Sequence, residues 1–317
     1  MHRKIQHLSL AREPETDMYK NFDEMVSAVK ASRRGTVIIS AAQTESVLDA
    51  AILAQQDNLA DCLLVGDKPQ ILALLEQMAP QHVNSFEIVD IGPDSVKAAK
   101  VSVQLAREGR GDIILKGKTD SGQLLRAVLD KENGLRVSDV ISDVLAYEHP
   151  EGLKLLSDGG VNLAPDLKEK VAIVKNAVQV AHSLGSPEPK VAMITAVETV
   201  NPKMPATLDA ALISRMNARN QITGCIVEGP LAFDNAVDIN AAKIKGIESP
   251  VAGIADVFIV PNIEAGNIFG KMLTYYCGWR VAHVVVGTKA PILIPSRADR
   301  GELKMLCMAM ALACMNK

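Results

Sequence analysis

A hydroxyl, a guanidinium and a carboxylate fall within four consecutive positions at Ser296-Arg297-Ala298-Asp299. That combination suits an anionic ligand undergoing chemistry. A guanidinium binds phosphate oxygens through two parallel N–H donors and keeps its charge at any physiological pH. A hydroxyl can donate to phosphate or to an oxyanion developing on a neighbouring carbonyl. The tetrapeptide ends an extended run, Val284 to Pro295, and a helical pattern follows. A similar exit lies upstream, where the run Val257 to Pro261 breaks into Asn262-Ile263-Glu264-Ala265-Gly266-Asn267. In open α/β sheets, ligands bind outside the carboxyl ends of the strands, where the next helix offers unpaired N–H groups and a partial positive charge. Structural demands compete for the same residues. Ser296-x-x-Asp299 has the form of a helix capping box, with Asp in place of the usual Glu or Gln. Asn267 is equally an N-cap, and Gly266 equally a tight-turn residue. Capping and ligand binding are compatible, because a capped helix start still presents N–H groups to an anion.

These exits need a framework, and the chain supplies one. Short β-branched runs alternate with stretches of helical period: Thr36 to Ala41 then Ser46 to Gln56, Asp61 to Val65 then Lys68 to Gln77, Asp112 to Leu115 then Gly122 to Asp130. The rhythm continues with Lys190 to Thr195 before Ala206 to Ala218, then Gly224 to Val227, Asp256 to Val260 and Arg280 to Val286. Nearly continuous apolar strands with intervening helices predict a mostly parallel sheet covered on both faces. A boundary is expected near Tyr147 to Gly152, where polar and turn-forming residues interrupt the pattern. The unit Leu153 to Leu156 then exits into Ser157-Asp158-Gly159-Gly160-Val161-Asn162-Leu163-Ala164-Pro165-Asp166. Its two glycines permit unusual backbone angles, close ligand approach or a tight connection, and Pro165 suits the first turn of a helix running to about Ser183.

Composition narrows the function classes. The 317 residues are 48% hydrophobic and 22% charged, with a formal net charge of −3, which excludes a disordered chain and disfavours a polyanion partner. Aromatics at 3% leave no base-stacking platform, so nucleic acid is not expected. Five cysteines form no C-x-x-C pair and fit a reducing cytoplasm. Met1 to Leu8 begins basic without the apolar region of a signal peptide, and no apolar stretch approaches membrane-spanning length, so a soluble, cytoplasmic protein is expected. Gly111 to Thr119 looks like the end of a phosphate-binding P-loop, but five residues separate its glycines instead of four. Cys307 and Cys314, seven apart on an apolar helix, read as packing and not as a metal site. There is no H-E-x-x-H and no G-x-G-x-x-G after the first strand, so zincin and nicotinamide signatures are missing.

Val200 to Ala211, Glu228 to Asp234, Pro261 to Asn267 and Ser296 to Asp299, in that order, resemble the phosphate acetyltransferase and phosphate butyryltransferase family, on the butyryltransferase side. Lys116-Gly117 with Leu124 to Leu129, and Asp158 to Asp166, add to the resemblance. It implies transfer of an acyl group between coenzyme A and inorganic phosphate, both as substrates, with no separate cofactor and no metal. It also implies a three-layer α/β/α architecture of two domains with a cleft between them, like isocitrate and isopropylmalate dehydrogenases. Residues 1–148 with 288–317 would form one domain and 149–287 the other. A homodimer or higher homo-oligomer is expected.

Phosphate is partly dianionic near neutral pH, and a thiol with pKa near 8.5 leaves readily. Such a reaction therefore needs no metal and no covalent intermediate. The site must orient phosphate against the thioester carbonyl, neutralise its charge and stabilise the tetrahedral oxyanion. The resemblance assigns catalysis to Ser296, Arg297 and Asp299. It assigns substrate contacts to Ser121, Arg126, Glu198, Lys203, Glu264, Gly266, Asn267 and Lys289. In the acetyltransferase branch an Asp farther along the final helix acts on the coenzyme A thiol. Leu303 occupies that position here, leaving Asp299, Glu302 or no residue as the base. Phosphate acetyltransferase, a non-catalytic binder of coenzyme A or phosphate, and a metal-dependent dehydrogenase of the same fold are the competing readings.

Overall fold

The computed structural model describes residues 18–32 and 34–315, and the reading of Met1 to Leu8 lies outside them. In the first half, β1 (Gly35–Ser40), β2 (Ala60–Gly66), β3 (Glu87–Asp90) and β4 (Ile113–Lys116) alternate with α1 (Phe22–Ser32), α2 (Glu45–Gln56), α3 (Lys68–Met78), α4 (Ser95–Arg107) and α5 (Ser121–Val128). Then β5 (Ser142–His149) and β6 (Gly152–Ser157) form a hairpin, followed by α6 (Leu167–Ser183), β7 (Lys190–Ile194), α7 (Pro205–Ala218) and β8 (Ile226–Leu231). Next come α8 (Phe233–Val237), α9 (Ile239–Ile244), β9 (Val257–Ile259) and α10 (Ile263–Lys271), which runs into a π-helical turn, Met272–Tyr276. β10 (Val281–Val286), β11 (Ile292–Leu293) and α11 (Gly301–Met315) complete the described chain.

Among the described residues, the strands join one eleven-stranded sheet in the order β3-β2-β1-β4-β11-β10-β5-β6-β9-β7-β8. Both flanks are parallel, as apolar strands with crossover helices require. The centre differs: β10 pairs antiparallel with both β11 and β5, and β5 with β6. Apolar alternation does not distinguish the two pairings, so this inversion was not visible in the residue pattern.

Local chemistry explains where the chain turns. The run Val284 to Pro295 is two strands, not one. Gly287 takes a left-handed φ of +93°, the Thr288 hydroxyl donates to Ala290 O at 2.7 Å, and the reversal pairs Val285 with Ile292. Tyr147 to Gly152 is the end of β5, its turn and the first residue of β6, with Gly152 at φ +125°. The expected division after residue 148 therefore falls at the end of β5, and the one before 288 falls in the β10–β11 turn. Helix α6 starts after Asp166, whose carboxylate accepts from Glu169 N while the Glu169 carboxylate accepts from Asp166 N, both at 2.8 Å. Pro165 therefore precedes the cap and is not in the first turn.

Helix α11 is buried along nearly its whole length, from Lys304 to Ala313, against α1, α2, α6 and β10. Its apolar residues on every face suit that central position. The packing fixes the segment that precedes it, Ser296 to Arg300, against the middle of the sheet. Among the described residues no helix is long and apolar enough to cross a membrane.

Candidate active site

Strands β5, β6 and β10 supply the floor of a cavity of about 250 Å³ through Asp143, Leu145, Leu156, Val281 and His283. Its walls come from Ser121 at the start of α5, Gly159 and Gly160 after β6, and Gly266, Asn267 and Gly270 on α10. Ile294, Ser296, Asp299 and Leu303 close the side nearest α11. The glycines are there for contact. A Cβ on Gly266 would lie 2.6 Å from Gly159 Cα, and one on Gly160 would lie 2.8 Å from the Asp143 carboxylate. Gly266 is inside the helix and not at a turn. The N-cap is Asn262, which accepts from Ala265 N at 3.0 Å, while Asn267 Nδ2 donates to Gly159 O at 3.2 Å. Asn267 therefore clamps the loop and does not cap the helix.

A second recess, of about 260 Å³, lies on the other side of Ser296. It gathers Lys116, Lys118, Arg297 and Lys304 with Thr44 and Ser46 at the start of α2. The loop after β4 is stitched to the end of β1, since Gly117 N donates to Ser40 O and Lys118 N to Ala41 O, both at 2.8 Å. Gly117 is required there because a Cβ would meet Ala41 O at 2.3 Å. No side chain caps α2 at Thr44, so its first N–H groups stay free for an anion. Lys116, Arg297 and Lys304 have no carboxylate within ion-pair distance among the described residues. Burial and the charge of Arg297 hold the Lys116 pKa below its ordinary value, with Lys304 adding and Asp120 and Asp299 opposing. Cations gathered with no carboxylate in ion-pair contact form a site that an anion would stabilise.

The Ser296–Asp299 turn is built from both ends. The Asp299 carboxylate accepts from Ser296 N at 2.7 Å, and Ser296 Oγ accepts from Ala298 N at 3.4 Å. Lys304, 2% exposed, donates from Nζ to the carbonyls of Ser296 and Asp299. The capping-box pattern is thus half realised, one turn ahead of α11. Glu302 points elsewhere, with Arg280 as its partner at 3.8 Å.

Beneath the cavity, His283 Nδ1 lies 3.0 Å from Asp143 Oδ1. Burial disfavours the imidazolium, but the Asp143 carboxylate outweighs it by charge and hydrogen bond, with Asp299 helping and Lys116 opposing. The His283 pKa therefore rises. Asp158 sits 2% exposed behind the glycine loop and accepts from Gly160 N at 2.8 Å, Val161 N at 3.0 Å and Asn162 N at 3.1 Å. Burial, with the Asp143 charge, pushes its pKa up to about 6 despite those donors.

The structure thus brings Ser121, Gly266, Asn267, Ser296 and Asp299 around the first cavity and Arg297 into the second recess. Arg126 lines a separate recess between α4 and α5 with Lys100 and Arg107. Glu198 pairs with Lys245 at 3.3 Å and accepts from Asn235 Nδ2, and Lys203 is exposed before α7. Glu264 is exposed in the first turn of α10, and Lys289 is exposed on the β10–β11 turn. None of these five lines either cavity. Sequence reasoning missed His283, Asp143, Asp158 and Lys304. A signal existed for two of them: one imidazole in an otherwise apolar strand, and one cation inside an otherwise apolar helix.

Residues 93–312 match the profile of the family described as "Phosphate acetyl/butaryl transferase". The chain belongs to this family. A phosphate butyryltransferase of Clostridium acetobutylicum is 45% identical over 296 residues, spanning 93% of this chain and 98% of the relative. A phosphate acetyltransferase of Thermotoga maritima is 38% identical, spanning 86% and 92%. The crystal structure of a branched-chain phosphotransacylase from Enterococcus faecalis V583 superposes with a TM-score of 0.78 at 30% identity, covering 88% of this chain and 98% of that one. The chain is therefore a phosphate acyltransferase, and the ordered motifs that suggested the family all lie within the matched span. The family uses coenzyme A and phosphate as substrates.

Proposed function

We propose that the protein is a phosphate butyryltransferase in which orthophosphate occupies the cationic recess and the acyl thioester the neighbouring cavity. The observation that carries this reading is the place of Ser296, which lines both compartments. Phosphate held by Arg297, Lys116 and the start of α2 faces a carbonyl carbon across that residue. Attack then forms a tetrahedral oxyanion, to which the Ser296 hydroxyl donates, and collapse expels the thiolate and leaves acyl phosphate. Asp299 supports the geometry by fixing Ser296 N. The acyl chain meets Leu145, Leu156, Val281 and Leu303. These aliphatic walls favour a four-carbon acyl group over acetyl, since each buried methylene contributes about 0.8 kcal/mol.

The test is release of free thiol from acetyl-, propionyl-, butyryl- and isobutyryl-CoA, each with and without phosphate. Release that requires phosphate and is fastest with a four-carbon chain is expected. Equal release without phosphate, or none with any substrate, rejects the activity, and acetyl-CoA as the fastest substrate rejects the chain-length assignment.

A further inference from the structure

Resting on the reading above, we infer that His283, held by Asp143, is the proton-transfer group for the coenzyme A sulphur. The geometry is that of an oriented imidazole. His283 stands on β10 and Asp143 on β5 as diagonal neighbours, since His283 is opposite Leu145 and Asp143 is opposite Val285. Both side chains line the cavity, with 15% and 8% of their surfaces exposed. Asp143 engages Nδ1 at 3.0 Å, and no described residue hydrogen-bonds Nε2. A carboxylate on one ring nitrogen sets the tautomer and leaves the other to work on a substrate. Leu303, Ser296 and Asp299 line the same cavity, so the imidazole and the residue that faces the carbonyl share one chamber. Asp299 has no comparable freedom, because its carboxylate is bonded to Ser296 N.

The proton count closes in both directions. When hydrogen phosphate attacks the thioester, the P–O–C bond forms, the C–S bond breaks and its electron pair leaves on sulphur. The imidazolium gives its Nε2 proton to that sulphur, and the proton lost by hydrogen phosphate reloads the ring through solvent. In reverse, neutral His283 removes the thiol proton as sulphur attacks acyl phosphate. A thiol with pKa near 8.5 is mostly protonated at about pH 7, so such a base has work to do. The charged groups that act on the ring are Asp143 from β5, Asp299 ahead of α11 and Lys116 from β4, while Cys307 on α11 accepts from the His283 backbone N–H at 3.3 Å. Burial keeps the Cys307 thiol neutral, with its pKa pushed up to about 12.

The test compares wild type with His283→Gln and Asp143→Asn, following acyl phosphate plus coenzyme A from mildly acidic to mildly alkaline pH. Wild-type kcat should rise with pH through the His283 pKa, and phosphorolysis should fall through it. His283→Gln should lose about 10²-fold in kcat at about pH 7 with little change in acyl phosphate KM. Its deficit should narrow toward about pH 9, where the thiolate forms unaided. Asp143→Asn should shift the wild-type limb to lower pH, which gives a second reading if His283→Gln does not fold. A full rate in His283→Gln, a deficit constant with pH, or an unmoved limb in Asp143→Asn overturns the inference. Absence of phosphate-dependent turnover in the wild type would instead reject the proposed function itself.

Discussion

Arg297 and Ser296 are adjacent in the chain, but Arg297 lines the cationic recess alone whereas Ser296 lines both compartments, and this difference gives the residue-scale prediction. Arg297 lies in the cationic recess with Lys116, while Ser296 forms the wall between the recess and the cavity. Arg297→Lys keeps the charge and loses the planar fork. Losing one charge-assisted bond, worth roughly 1.5–3 kcal/mol, should raise the phosphate KM about tenfold or more and leave the butyryl-CoA KM within about twofold. Steady-state kinetics over both substrates will check this, and an unchanged phosphate KM would remove Arg297 from the phosphate site. The Ser-Arg-x-Asp cluster was legible because its chemistry is contiguous. The His283–Asp143 pair was not, since its members are 140 positions apart and only sheet pairing makes them neighbours. His283 alone offered the weak signal of one imidazole in an apolar strand, and Asp143 offered none, because a single strand aspartate is ordinary.

At the scale of elements, the loop after β6 and helix α10 are joined backbone to backbone. The reading of Gly159 and Gly160 allowed a tight connection as well as ligand approach, and the contacts show the first: Gly159 fits against Gly266 and Gly160 against Asp143. Gly266→Ala places its Cβ 2.6 Å from Gly159 Cα and 2.7 Å from Asp158 O, neither of which can swing aside as a flexible side chain would. Overpacking of this kind costs roughly 1–3 kcal/mol. The variant should unfold at lower urea and turn over more slowly, because the displaced loop carries one wall of the cavity. Parent-like urea midpoint and kinetics would show that the loop has room to give. Most helices and flanking strands were readable because each has a period and turn residues at its ends, but β3, α1 and α4 were not read. The β10–β11 hairpin was hidden, since a glycine in a left-handed turn and a change of strand direction leave the apolar pattern intact, while the break between β5 and β6 was visible but read as a boundary and not as a hairpin turn.

Over the whole molecule, α11 threads the core and anchors the Ser296–Asp299 turn above the centre of the sheet, where antiparallel β10 and β5 meet parallel β4 through β11. The cationic recess, proposed for phosphate, opens at the carboxyl ends of β1 and β4, as expected for a ligand site in a parallel α/β sheet. The first cavity, proposed for the thioester, instead rests on the antiparallel strands, an arrangement that βα alternation alone does not announce. Two compartments sharing one wall allow both substrates to be held at once, and no acyl group need pass to the protein. The most direct measurement is the initial rate of thiol release with butyryl-CoA varied at several fixed phosphate concentrations. Double-reciprocal lines that intersect are predicted, because phosphate and thioester must be bound together before the C–S bond breaks. Parallel lines, with label exchange between coenzyme A and butyryl-CoA in the absence of phosphate, would show an acylated enzyme and contradict direct attack across Ser296.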